Sequence, residues 1–196
     1  MYRAYRQVMS NQGSAGMDGM PVGELLNHLN NNRNAIATAA CTGRYLPQAI
    51  LGVTIPKSNG KPRLLGIPTV TDRLLQQAVS QVISPKFETD FTEHSYGFRP
   101  NRNAHQAVQQ AQQNIHEGYD YIVDIDLKNF FDEVDHVLLL QLIYDKVKCS
   151  LTLRLIRKWL RVPIKIKGRL VKRRKGVPQG SPLSPLLFQL FVQLVE

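Results

Sequence analysis

The spacing of apolar positions changes several times along the chain, and each change predicts an element. Residues 22–40, VGELLNHLNNNRNAIATAA, carry apolar side chains at Val22, Leu25, Leu26, Leu29, Ile36 and Ala40, which predicts one or two short helices. They follow GSAGMDGMP, whose glycines, aspartate and proline mark a structured turn. ILGVTIPKSNGKPRLLGIP predicts two short strands around SNGK, with Val53 and Ile55 before the turn and Leu64, Leu65 and Ile67 after it. TDRLLQQAVSQVISP predicts a helix capped by Thr71, with Leu75, Ala78, Val79 and Val82 on one face and Pro85 as its stop. A second helix is predicted in NRNAHQAVQQAQQNIHEG, where Ala104, Ala107, Val108, Ala111 and Ile115 share a face. YIVDIDL alternates with period two and predicts a strand. VDHVLLLQLIYDKV and SLTLRLIRKWLR predict two helices parted near Cys149, and PIKIKGRLVKRRKG a basic hairpin turning at Lys167–Gly168. GVPQGSPLSPLLFQLFVQLVE begins as a loop and ends as an apolar helix. This order of elements predicts an α+β fold rather than a doubly wound sheet, because few helices join successive parallel strands.

Composition narrows the picture. The 196 residues are 43% hydrophobic and 20% charged, which describes a globular chain long enough to bury a core without disulfides. Cys41 and Cys149 stand far apart, with no zinc spacing, and read as buried free thiols in a reducing compartment. No apolar run reaches the roughly 18 residues of a membrane span, and the N-terminus lacks a signal-peptide core, so a cytoplasmic protein with no membrane partner is expected. The net charge of +10 is unevenly placed: residues 146–195 contain no acid but 13 of the 25 Lys and Arg. Such segregation favours a polyanion, nucleic acid before membrane, although a solvated basic face would look the same. No GxGxxG or GxxxxGK[ST] signature is present, which argues against a dinucleotide enzyme or a P-loop ATPase.

Three stretches carry candidate chemistry. On a strand, Asp124 and Asp126 share a face, and a carboxylate there is costly unless it is paired or bound to a cation such as Mg2+. The alternative is a local cap and an ion pair. Phe130 and Phe131 are core residues on the plain reading, or one of them walls a sugar or base pocket; Asp132 and Asp135 suit the start of the next helix. Lys57, Lys61 and Arg63 surround one turn, where Lys57 and Arg63 could meet a triphosphate or simply decorate a surface hairpin. Gln179 in GVPQGSPLSPLL could reach a sugar or base edge, or sit in a tight turn held by Pro178 and Pro182.

In this order, GSAGMDG, IPKSNGKPRLLGIPTVTDRLLQQAV, FTEHSYGFRPNRNAHQAV, VDIDLKNFFDEVDH and GVPQGSPLSPLL resemble the reverse transcriptases encoded by bacterial group II introns. The likeness runs nearly end to end. It implies a right-hand polymerase, with fingers and the start of the palm in residues 1–85 and an incomplete palm in 86–196. It implies Asp126 as a catalytic, metal-binding aspartate and the Leu127 carbonyl as a further metal ligand. Lys57 and Arg63 would meet the triphosphate, Phe131 would stack under the deoxyribose, and Gln179 would line the nucleotide site. Arg99, Arg169, Lys172, Arg173, Arg174 and Lys175 are the expected nucleic-acid contacts. The implied activity is RNA-directed DNA polymerisation from dNTP and a primer 3′-hydroxyl on an RNA template. It would use two Mg2+ ions, with Mn2+ as a substitute, and the family also binds intron RNA and assists splicing.

The family's YxDD hairpin and thumb are not in this sequence, so the chain is expected to be inactive alone and to self-associate through exposed apolar surface. Three rivals are a non-enzymatic RNA-binding maturase module, a retron-like reverse transcriptase, and an unrelated magnesium phosphohydrolase; the last leaves GFRP and Gln179 unexplained.

Overall fold

A computed structural model of the chain describes residues 1–56, 60, 62–127 and 130–193. Among these, helix α1 (Tyr2–Ser10) is followed by a 3-10 turn at Val22–Glu24 and helix α2 (Leu25–Cys41). Strands β1 (Ile50–Pro56) and β2 (Pro62–Ile67) lead into α3 (Val70–Phe87), then α4 (Ala104–His116), α5 (Phe130–Glu133), α6 (His136–Val147) and α7 (Ser150–Arg161). Strands β3 (Ile164–Ile166) and β4 (Arg169–Val171) and helix α8 (Ser184–Val192) complete the order. The sheet runs β2-β1-β3-β4, antiparallel except for a short parallel pairing of Ile50 and Leu51 with Ile164 and Lys165. The α+β class is borne out. Both expected hairpins form; the second turns at Lys167 and Gly168, whose positive φ values of 46° and 80° match the twist of the flanking strands.

The main core lies where α3, α6, α7 and α8 meet, around Leu75, Leu139, Ile143, Ile156, Trp159, Leu160, Leu187 and Leu190. A smaller core joins α1 to α3 through Ala4, Val8, Leu25, Val70 and Leu74. Helix α1 was not expected from the sequence, although Ala4 and Val8 are one turn apart and both buried.

Helix α3 is fixed at its first turn. Its cap is Thr69, two residues before the expected Thr71: Thr69 Oγ1 accepts from the Asp72 amide at 3.2 Å and donates to Asp72 Oδ2 at 2.9 Å. Asp72 is 1% exposed. Its Oδ1 also accepts from the Tyr45 hydroxyl and the Trp159 indole, both at 3.0 Å, and its Oδ2 from the Gln48 amide at 3.1 Å. One carboxylate thereby joins the loop before β1 to α3 and α7. Burial pushes the Asp72 carboxyl above its usual range, and these donors pull it back. Lys158 on α7 adds hydrogen bonds to the carbonyls of Gly43 at 2.8 Å and Tyr45 at 2.7 Å. Pro85 does not stop α3, which runs on to Phe87 because Ile83 and Phe87 are anchored in the core.

Three expectations are corrected. Residues 121–127 form no strand: Tyr121, Ile122, Val123 and Ile125 are between 78% and 97% exposed, and no described strand lies beside them to complete a ladder. Helix α4 forms, with a capping box between Asn103 and Gln106, but its apolar face is uncovered, with Val108 and Ile115 exposed. Cys41 is exposed rather than buried, and Cys149 is half-buried; both are free thiols. Among the described residues no helix is long and apolar enough to cross a membrane.

Replacing Asp72 by Asn puts an amide NH2 where only donors converge. At least one buried donor then loses its acceptor, which is expected to cost about 1–3 kcal/mol of unfolding free energy. Urea titration of both proteins measures this, and equal stability would contradict the hub.

Candidate functional site

A cavity of about 570 Å³ opens between the α1–α3 layer and the loop before α8. Arg63, Phe131 and Gln179, which are far apart in the sequence, all line it. Arg63 Nε donates to Gln179 Oε1 at 2.7 Å. Backbone packing fixes the loop that carries Gln179. The Gly66 amide donates to the Gln179 carbonyl at 2.7 Å, and a Cβ on Gly180 would come within 2.5 Å of the Gly66 carbonyl. With φ at +112°, Gly180 is suited to this approach on both conformational and steric grounds. Ser181 Oγ donates to Gln76 on α3 at 2.6 Å, and Ser184 Oγ to the Pro178 carbonyl at 2.7 Å.

The same loop is clasped to the segment that presents Phe131. The Gly176 amide donates to Val134 and the Val177 amide to Phe131, both at 2.7 Å. The buried His136 adds a third bond, from Nε2 to the Gly176 carbonyl at 2.7 Å, which sets the tautomer because a carbonyl only accepts. Its Nδ1 is buried with no hydrogen-bond partner among the described residues. Phe131 stacks on Phe188 at 4.6 Å between ring centres, while Phe130 packs edge-on against Phe188 and Phe191 in the partly buried fringe of the core. Asp135 caps α6 by accepting from the amides of Val137 at 2.7 Å and Leu138 at 2.9 Å, which holds its carboxyl below the usual range.

The family profile of "Reverse transcriptase (RNA-dependent DNA polymerase)" matches residues 55–196. The chain belongs to this reverse transcriptase family. It is 35% identical over all 196 residues to the group II intron-encoded protein LtrA of Lactococcus lactis subsp. cremoris, covering 32% of that protein. It is 32% identical over 195 residues to protein YkfC of Escherichia coli strain K12, with 96% of this chain and 51% of that protein covered. A putative COX1/OXI3 intron 1 protein of Saccharomyces cerevisiae is 29% identical over 164 residues, covering 83% of this chain and 20% of that protein. The chain thus spans about a third of the length of LtrA and about half of that of YkfC. A solved partial Cas6-RT-Cas1--Cas2 complex shares its fold, with a TM-score of 0.62 at 24% identity over 98% of this chain and 33% of that one. The resemblance to group II intron reverse transcriptases is borne out.

Reverse transcriptases use divalent metal ions, but the described residues do not assemble a site for one. Asp126 is exposed in the irregular segment 121–127 and does not line the cavity; Asp124 and Leu127 are exposed there too. Among the described residues no three His, Cys, Asp or Glu side chains gather as metal ligands. Lys57 lies outside the described residues.

The expected nucleic-acid contacts divide in two. Arg169, Lys172 and Arg174 are exposed and form no ion pair among the described residues. Lys175 is exposed but paired with Glu133. Arg173 is half-buried and donates to the Leu160 carbonyl at 3.0 Å. Arg99 is not a surface contact at all: its side chain is 6% exposed, binds Glu88 at 2.8 Å and packs over Phe91, so its donors are spent inside the fold. Asn11, Gly13, Arg73, Gln77 and Phe98 line the cavity without having been singled out in the sequence. Phe98 sits in the GFRP block and could have been suspected; the others have no chain-local signal. A shallower groove of about 450 Å³ between α6 and α7 adds Arg154 and Arg157 to the basic surface.

Burial pushes the His136 pKa below its ordinary range, with Arg173 and Arg161 acting the same way and the Gly176 bond opposing them. The unfolded chain, with a value of about 6.5, therefore takes up the proton first. Stability should hold above about pH 6.5 and fall as pH drops through that value. Denaturant titrations at descending pH are expected to show this slope in the parent and a shallower one in His136→Gln. Equal slopes would remove His136 as the cause.

Proposed function

We propose that this chain forms fingers and the start of a palm (residues 1–85) and incomplete palm (86–196) of an RNA-directed DNA polymerase encoded by a group II intron. The observation that carries this reading is one cavity that gathers Arg63, Phe131 and Gln179. Arg63 offers a planar cation to a triphosphate. The Phe131 ring, backed by Phe188, offers a rigid face to a deoxyribose, and the Gln179 amide, steadied by Arg63, offers donor and acceptor to a nucleotide edge. In the longer polymerase a primer 3′-hydroxyl attacks the α-phosphorus of the dNTP. A phosphodiester bond forms, the bond to the β-phosphate oxygen breaks, and pyrophosphate leaves.

The metal on this reading is Mg2+, two ions in a complete site, and Asp126 with the Leu127 carbonyl serve it only once residues 121–127 are drawn onto a strand partner beside the cavity. The partners are an RNA template with its primer and the intron RNA whose splicing the protein assists, in the cytoplasm. Val108, Ile115 and the apolar residues of 121–125 supply a surface for self-association. A non-enzymatic RNA-binding module is the second reading, favoured by the absence of Asp126 from the cavity lining.

Ultraviolet crosslinking of labelled dTTP to the chain on poly(rA)/oligo(dT) separates the two readings. Crosslinks are expected in the cavity peptides and should be lost in Arg63→Ala and Gln179→Ala. RNA binding should persist in those variants, and changing Arg169, Lys172 and Arg174 together to Ala should flatten its log–log salt dependence by about 2. RNA binding without a cavity crosslink would favour the second reading.

A further inference from the structure

The cavity contains a cation that the reading above does not use. Arg73 follows the buried hub Asp72 on α3 and is 8% exposed, yet among the described residues it forms no ion pair. Its Nη2 donates to the Ser14 carbonyl at 2.6 Å. Its Nε is buried with no hydrogen-bond partner among the described residues. Its Nη1 makes no hydrogen bond to a described residue and lies against Gly13, where a Cβ would overlap it. Arg73 and Gly13 both line the cavity, as Arg63 and Gln179 do. Removing a guanidinium from water is costly without an anion beside it. Burial accordingly lowers the Arg73 pKa, and Asp18 opposes this only as a charge outside ion-pair distance.

We propose that Arg73 is a phosphate-binding residue of the cavity, presenting Nη1 to a nucleotide phosphate in the space that Gly13 leaves by lacking a side chain. The phosphate belongs either to a free nucleoside triphosphate or to the phosphodiester of a bound RNA strand; both offer the same anionic oxygens. The identity of the ligand rests on the proposed function, but the presence of an anion site rests on Arg73 alone.

Two variants test it. Arg73→Gln removes the charge while keeping a donor for Ser14. Gly13→Ala keeps the arginine but displaces Nη1, and it strains no backbone because Gly13 is not at positive φ. Dissociation constants for inorganic triphosphate, dTTP and oligo(rA) are measured calorimetrically on the whole chain, with melting followed in parallel. Both variants are expected to melt cooperatively and to bind at least one probe about ten- to a hundredfold more weakly, the range for losing a charge-assisted hydrogen bond. Loss confined to triphosphate and dTTP identifies the free nucleotide as the source, and loss confined to oligo(rA) identifies the strand. If Arg73→Gln does not fold, Gly13→Ala decides alone.

Unchanged affinities in folded variants, or no binding of any probe by the parent chain, would overturn the proposal and leave Arg73 as a strut for Ser14. Binding that depends on Arg63 and Gln179 but not on Arg73 would overturn it while the proposed function stands. Binding of triphosphate through Arg73, with no preference for nucleotides, would keep the anion site and remove the nucleotide reading.

Discussion

The buried carboxylate of Asp72 is the constraint on which the remaining geometry depends. Four donors from Tyr45, Gln48, Thr69 and Trp159 converge on its two oxygens, so a single residue sets where α3 begins, how the chain enters β1 and how α7 lies across both. A buried charge tolerates little displacement of its partners. Everything α3 carries is therefore placed with it: Arg73 one residue later, Gln76 holding Ser181, and Gln77 in the cavity wall.

The loop that carries Gln179 into the cavity is held by backbone bonds. The loop 176–181 is a bridge between β2, reached through Gly66 and Gln179, and the Phe131–Val134 turn, reached through Gly176, Val177 and His136. Arg63, Phe131 and Gln179 thus meet in one place although they come from three remote parts of the chain. The basic hairpin β3–β4 continues from the same sheet whose strand β2 carries Arg63.

Much of the fold was legible because local signals coincided with burial. Helices α6, α7 and the apolar α8 carry spacing that the main core satisfies, and the two hairpins carry turn signals between strand-like runs. The segment 121–127 was misread because period two specifies only that a strand can form, whereas a strand exists only with a ladder partner. The exposed face of α4 shows the same limit: its stripe is amphipathic, but amphipathicity does not name what covers it. That Arg63, Phe131 and Gln179 share one cavity was suggested by the family resemblance, not by spacing. Arg73 was not, since its significance comes from a missing counter-charge that only packing reveals. Arg99 shows the reverse: an arginine in a family motif whose charge is consumed by Glu88.

The central claim is that the cavity between α3 and the Gln179 loop is the nucleotide site of a reverse transcriptase. A crystal structure of the chain with a poly(rA)/oligo(dT) duplex and dTTP tests it most directly. The account predicts the triphosphate against Arg63, the deoxyribose on Phe131 and the nucleotide within reach of Gln179. A nucleotide bound elsewhere, with this cavity filled only by water, would contradict it.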